Sequence, residues 1–191
     1  MKPKIISRLC LVASATIVVC ATVACDGTGL LPAGFPNFVD TVTLHALQGT
    51  PISTPSAYDV SVGIAVRTDQ GQTFDFAFDI DSANDPVIMP AGVLGLPAQA
   101  GLQMSDREFE DVSHAPYDDY VADSLFTVAV GDVFIGRSRN ASGSCYYLGS
   151  LPRYGKFRVL AVDMQDRTIT LETLVNVNCG YRELEPGYPT S

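Results

Sequence analysis

Carboxylates gather where the clearest strand pattern of this chain ends: Asp79, Asp81, Asn84 and Asp85 fall within the single run DIDSAND. Calcium takes about six to eight oxygen ligands, and a turn that collects several carboxylates is the simplest way to supply them. The spacing departs from the helical calcium loop, because Ala83 stands where a third ligand belongs and no glycine follows. Asp106, Glu108, Glu110 and Asp111 form a second acidic run. His45 and His114 are the only two histidines, and two imidazoles can hold a haem iron from both sides if the fold brings them together. Hydrolysis is a third chemistry, with His114 as a base and Asp118 or Asp119 beside it. It has no nucleophile elbow to rest on: Gly136-Arg-Ser-Arg-Asn140 reads as part of a strand and does not fit Gly-x-Ser-x-Gly. His-Glu-x-x-His and glycine-rich phosphate loops are absent as well. These residues favour a non-enzymatic protein, with a small-ligand or metal carrier for calcium or haem as the alternative and an unrecognised hydrolase third.

The cysteines carry a different chemistry. The first residues combine a positive start (Lys2, Lys4, Arg8), an apolar stretch from Leu9 to Val19 and a small-x-small run, Thr22-Val23-Ala24, directly before Cys25. That order is the layout of an export signal, and its apolar core is too short to span a bilayer, which needs about 20 residues. The ending Thr22-Val23-Ala24-Cys25 resembles the bacterial lipobox, with Thr22 where leucine is usual. The resemblance implies that the enzyme attaches diacylglycerol to the Cys25 sulfur and that cleavage leaves Cys25 as the new N-terminus. Of five cysteines, Cys10 and Cys20 then leave with the signal. Lipid on Cys25 removes the odd thiol, and Cys145 and Cys179 become the natural disulfide pair in an oxidising compartment. The expected partner is therefore a membrane, reached through a lipid anchor, in a bacterial cell envelope.

The elements that must position these groups are strands. Gln72 to Asp81 alternates, with Phe74, Phe76, Phe78 and Ile80 on one face and Asp75, Ala77, Asp79 and Asp81 on the other. Ala57 to Arg67 alternates over its whole length, and Asp69 to Gln72 offers a hairpin turn to the next strand. Asp40 to Leu47, Leu125 to Arg137, Phe157 to Met164 and Thr168 to Val177 complete the pattern, the last two flanking a second hairpin turn at 165–167. Leu125 to Arg137 changes face at Gly131-Asp132. No sustained helical period occurs, and residues 106–112 allow one short helix. The region 86–120 is broken by Gly and Pro; its apolar residues Met89, Val93, Leu94, Leu96, Leu102 and Met104 form either a docking surface or a cover over the core. About seven or eight strands predict an all-β antiparallel sandwich or partly open barrel. Gly131 to Arg139 and Tyr154 to Leu160 resemble strands of β-rich haem-capturing envelope lipoproteins, a likeness that assigns no ligand residue.

The expected organisation is a signal over 1–24, a lipidated cysteine with a flexible tether over 25–38, a β domain over 39–184 and a tail over 185–191. The chain carries a net charge of -9, which deepens to -12 once Lys2, Lys4 and Arg8 leave. Nucleic acid is excluded as a partner on that ground. Charge is also uneven: between 25 and 136 the only bases are Arg67 and Arg107, while seven bases lie beyond. The two parts are expected to attract each other. The resulting expectation is an envelope protein that presents a β scaffold to a protein partner or ligand.

Overall fold

The structure is a computed structural model and describes residues 30–71, 73–140, 145 and 150–190. The expected export signal and Cys25 lie outside them. The expected all-β class holds: ten strands form two five-stranded sheets, every pair is antiparallel, and no α-helix occurs among the described residues. The strands are β1 (Val39–His45), β2 (Ala57–Asp59), β3 (Ile64–Val66), β4 (Phe76–Ile80), β5 (Pro86–Pro90), β6 (Gly101–Ser105), β7 (Phe126–Thr127), β8 (Val133–Arg137), β9 (Tyr154–Asp163) and β10 (Thr168–Asn176). One sheet runs β1-β10-β9-β8-β6 and the other β3-β2-β4-β5-β7. Between them lies the main core, to which Leu44, Phe134 and Phe157 come from the first sheet and Phe76, Phe78 and Ile88 from the second.

Aromatic rings fill the centre of that core. Phe134 stacks on Phe157 at 5.0 Å, and Phe76 meets both edge-on at 5.6 and 5.1 Å. The slot for Phe157 is made by two glycines that pair across β8 and β9, Gly136 and Gly155. A Cβ on Gly136 would stand 3.1 Å from the Phe157 ring, and one on Gly155 would stand 2.9 Å from Val175. Both are closer than a core accepts without displacing its neighbours.

Several sequence expectations are corrected by local chemistry. Ala57 to Arg67 is two strands, because the Asp59 side chain accepts from Ser61 N at 2.9 Å while Gly63 N donates to the Asp59 carbonyl at 2.8 Å. Gly63 adopts φ 73, the chain reverses, and β3 folds back on β2 with Ala57 opposite Val66. The segment at 68–70 is a 3-10 turn and not a hairpin, since β4 pairs with β2 and not with β3. Pro86–Pro90 forms a strand despite its two prolines, which occupy its ends. These changes raise the strand number from the expected seven or eight to ten. The expected short helix is a single 3-10 turn, Phe109–Asp111.

Neither sheet is solvated on one whole face, and simple alternation therefore misassigns its polar residues. Phe109, Val112, Ala115 and Leu184 cover the outer face of the first sheet over Val133, Ile135 and Leu174. Ala91 and Phe74 cover Ala57, Val66 and Ala77 on the second. Phe74 thus leaves the face expected for it, and Asp75 and Asp79 are buried. At Gly131, where a face change is expected, the chain passes from β7 in one sheet to β8 in the other, with Gly131 at φ 97. The β9–β10 hairpin is as expected. Its turn is held by the Asp163 carboxylate, which accepts from Gln165 N and Asp166 N at 2.8 Å each.

The segments expected as tether and tail touch the domain. Gly34 N and Phe35 N donate to Asn178 Oδ1, Asn178 Nδ2 returns a bond to Phe35 O, and Tyr181 OH donates to Leu31 O. Asn37 and Gly187 exchange two backbone bonds, at 2.7 and 2.9 Å. Glu183 binds Thr190 N and Thr190 Oγ1. Backbone groups of this Gly/Pro-rich stretch therefore find Tyr181 and Asn178 of the domain as partners.

Candidate functional site

Two carboxylates of the expected cation site are engaged in hydrogen bonds with nearby backbone. Asp79 Oδ1 accepts from Gln48 N at 3.2 Å and Ile80 N at 2.9 Å, and the Arg167 guanidinium stands 3.7 Å away. Asp81 Oδ1 accepts from Ala83 N and Asp85 N, and Asn84 takes φ 65 within the same turn. Asp81, Asn84 and Asp85 therefore build and close the β4–β5 turn, as Asx residues do in turns, while Asp79 in β4 holds the Gln48 amide. Among the described residues no group of three or more His, Cys, Asp or Glu is placed to hold a metal ion.

The two histidines do not meet. His45 pairs with Thr168 at the start of β10, whereas His114 bridges Glu183, whose carbonyl accepts from Asn176 at the end of β10. Nine residues of strand separate those ends, about 25 Å at the usual rise. A haem held by His45 and His114 is thereby overturned. Ser138, the serine nearest to an elbow motif, is buried, with its Oγ donating to Arg139 O at 2.6 Å and accepting from Arg153 N at 2.9 Å. It ties the strand ends together. The apolar middle segment divides: Met89 and Leu102 complete the core, while Leu94, Leu96 and Met104 are exposed at the rim. Cys145 and Cys179 are joined, with S–S 2.02 Å and Cα–Cα 5.4 Å.

What the sequence reading missed is a charge cluster. Asp75 is only 1% exposed, and its Oδ1 accepts from both Arg139 N and Arg139 Nη1 at 3.0 Å. Arg139 Nη2 reaches Asp59 Oδ2 at 2.8 Å and Ser61 Oγ at 3.2 Å, while Val60 N donates to Asp75 Oδ2. Arg153 Nη1 donates to the Ser61 carbonyl. Burial pushes the Asp75 carboxyl above its ordinary range, although the Arg139 amide and charge pull the other way. Burial works against the Arg139 cation, but Asp59 and Asp75 outweigh it and raise its pKa. Arg139 follows β8 of one sheet, and its acids belong to the other sheet, so the cluster clamps the two together. The one sequence signal for it is the shortage of bases before residue 137: acids set among apolar strand residues need partners from beyond that point.

Lys156 is a second buried cation. Nζ donates to Phe109 O at 2.7 Å and Val112 O at 3.0 Å and sits 4.5 Å from the Phe109 ring centre. Burial lowers its pKa.

The clamp adjoins the end of the domain where the N-terminal segment docks. Two shallow clefts open there and share Phe35 and Val177. One, of about 240 Å³, runs between Phe35, Phe38, Val62 and Tyr58; the other, of about 170 Å³, lies between Leu31, Arg153 and Tyr181. Burial raises the Tyr58 hydroxyl to about 12, so it stays protonated at the floor of the first cleft.

Fold and site together define an all-β sandwich domain with a disulfide, a buried ionic clamp and an apolar rim. No protein-family model matches the chain, and no curated protein matches it.

Proposed function

We propose that this chain is exported and anchored by lipid on Cys25 in a bacterial cell envelope, where its β domain serves as a non-enzymatic scaffold for a protein partner or ligand. The observation that carries the reading is the cysteine pairing: the Cys145–Cys179 bond uses both cysteines beyond Cys25 and leaves Cys25 alone behind a small-x-small run. Such a bond belongs to an oxidising compartment, where a lone exposed thiol is a liability that lipid removes. The strongly acidic balance supports a domain that stays soluble beside a membrane. Haem held by the two histidines is not part of the proposal, because His45 and His114 stand at opposite ends of β10.

Mass spectrometry of the N-terminal peptide tests the anchor, with Cys25→Ser as its companion. Diacylglycerol on Cys25 and a move of Cys25→Ser from the membrane to the soluble fraction are expected. A bare Cys25 in protein isolated from a bacterial host that processes lipoproteins would sink the anchor.

A further inference from the structure

We infer that the apolar rim around the N-terminal clefts is a membrane-docking surface, so that the domain lies against the lipid bilayer and does not swing freely from its anchor. The inference rests on the anchored reading and adds an orientation to it. Leu31, Phe35 and Phe38 are 59%, 62% and 68% exposed, and Val62 and Ile64 on the β2–β3 hairpin are 49% and 52% exposed. Four of them form one patch: Phe35, Phe38 and Val62 line one cleft, and Leu31 lines the adjoining cleft with Phe35. A clustered exposed apolar rim of this kind marks a surface suited to a partner or a membrane.

Two observations select lipid as the cover. The first is reach. Cys25 and Leu31 are six residues apart in the sequence, a span of about 21 Å at full extension, and Leu31 is already fixed to the domain through Tyr181 OH. An acylated Cys25 therefore holds this end of the domain at the headgroup layer. The second is charge placement. The turns at the opposite end carry Asp81 and Asp85 on one side and Asp163 and Asp166 on the other, and Asp85, Asp132 and Met164 share a surface depression there. Val39 pairs with Leu174 near the lipid-facing end of β10, whereas His45 pairs with Thr168 at the acidic end. The acids of these turns thus point away from the bilayer when the rim touches it, while Asp40 stands at the edge of the first cleft. Lipid insertion of aromatic and aliphatic side chains adds to the hold of the acyl chains, which is the second contact that stable anchoring uses.

The chain has no tryptophan, so a single introduced tryptophan reports its own surroundings. Full-length Phe38→Trp and Met164→Trp are expressed in a bacterial host, purified and added to preformed phosphatidylcholine vesicles, plain or with brominated acyl chains. The N-terminal peptide mass is read on the same samples. If Cys25 is bare after cleavage, its thiol is coupled to a maleimide phospholipid and the same emission is measured, which separates the failure of the anchor from the failure of docking. Docking predicts that the Phe38→Trp emission moves to shorter wavelength and is quenched by bromine, while Met164→Trp stays iodide-accessible and unshifted. Equal iodide access at both positions, without bromine quenching, overturns it. So does a Phe38→Trp shift that appears with rising protein concentration and no vesicles, since a second copy would then be the cover. Folding of each variant is checked by its far-ultraviolet circular dichroism and by the intact disulfide; if Phe38→Trp fails that check, Phe35→Trp takes its place under the same criteria.

Discussion

Single residues decide whether this sandwich holds together at the clamp. Asp75 has a raised pKa in the fold, so the folded state holds its proton more tightly than the unfolded one. Its contribution to stability is consequently present at low pH and lost as pH rises from the ordinary carboxyl value through the raised one. Arg139 limits that loss by neutralising the carboxylate. Arg139→Gln is expected to destabilise the domain by about 3 kcal/mol at pH 7, the lower end for a broken buried pair because the guanidinium is partly exposed. The deficit against the parent should shrink at pH 4, because the raised pKa favours the neutral Asp75 as pH falls towards the carboxyl range. Urea unfolding of both proteins at the two pH values measures it, and a deficit that does not change with pH would remove Asp75 from the argument.

Elements depend on one another through their covers. The 3-10 turn Phe109–Asp111 and the strand β9 meet at Lys156, whose ammonium donates to two carbonyls of the cover. Arg158, two residues on, holds Glu110 and Glu172 at the rim of the same cover. Lys156→Met removes that donor from both carbonyls and is expected to cost about 1–3 kcal/mol, offset in part by relief from burying a charge. Because the lysine pKa is lowered in the fold, its contribution to stability grows as pH climbs through that lowered value towards the ordinary one, and the variant should lack this rise. Hydrogen exchange over residues 108–115 checks the local effect: faster exchange there, with the β9–β10 hairpin unchanged, is the expected outcome. The strands themselves were legible where one face alone decides their pattern, as in β1 and the β9–β10 hairpin. They were misread at Ala57 to Arg67, where an aspartate side chain and one glycine reverse a chain whose alternation is unbroken.

Across the whole molecule, the disulfide and the charge distribution act together. The Cys145–Cys179 bond joins the β8–β9 connection to the chain just after β10, with a sequence separation of 34 residues. In the chain-entropy account, losing such a cross-link costs about 3–4 kcal/mol. The Cys145→Ala, Cys179→Ala double variant should therefore melt well below the parent, and thermal unfolding with and without reductant should bring the parent to the variant's value. A parent that keeps its melting temperature in reductant would argue that the bond contributes little. Complementary charge is the other long-range force: Arg139 with Asp59 and Asp75, Arg158 with Glu110 and Arg167 with Asp79 join the base-rich C-terminal part to the acid-rich remainder. That attraction follows from the base count alone, although which acids it engages does not.

By itself the sequence determined the all-β class, the antiparallel C-terminal hairpin, the pairing of Cys145 with Cys179 and the attraction between the two unequally charged parts. Periodicity, turn chemistry and counting carry three of these, and the cysteine pairing follows from the export-signal layout and the lipobox resemblance, which set the other cysteines aside; none needs knowledge of distant contacts. Only the tertiary structure decided which face of each strand is covered. It separated His45 from His114, turned DIDSAND into a turn closed on itself, and buried Asp75 against an arginine 64 residues away. The physical reason is that loops fold over both outer sheet faces, and a side chain's burial, partners and charge are set by what covers it and not by its place in an alternating pattern.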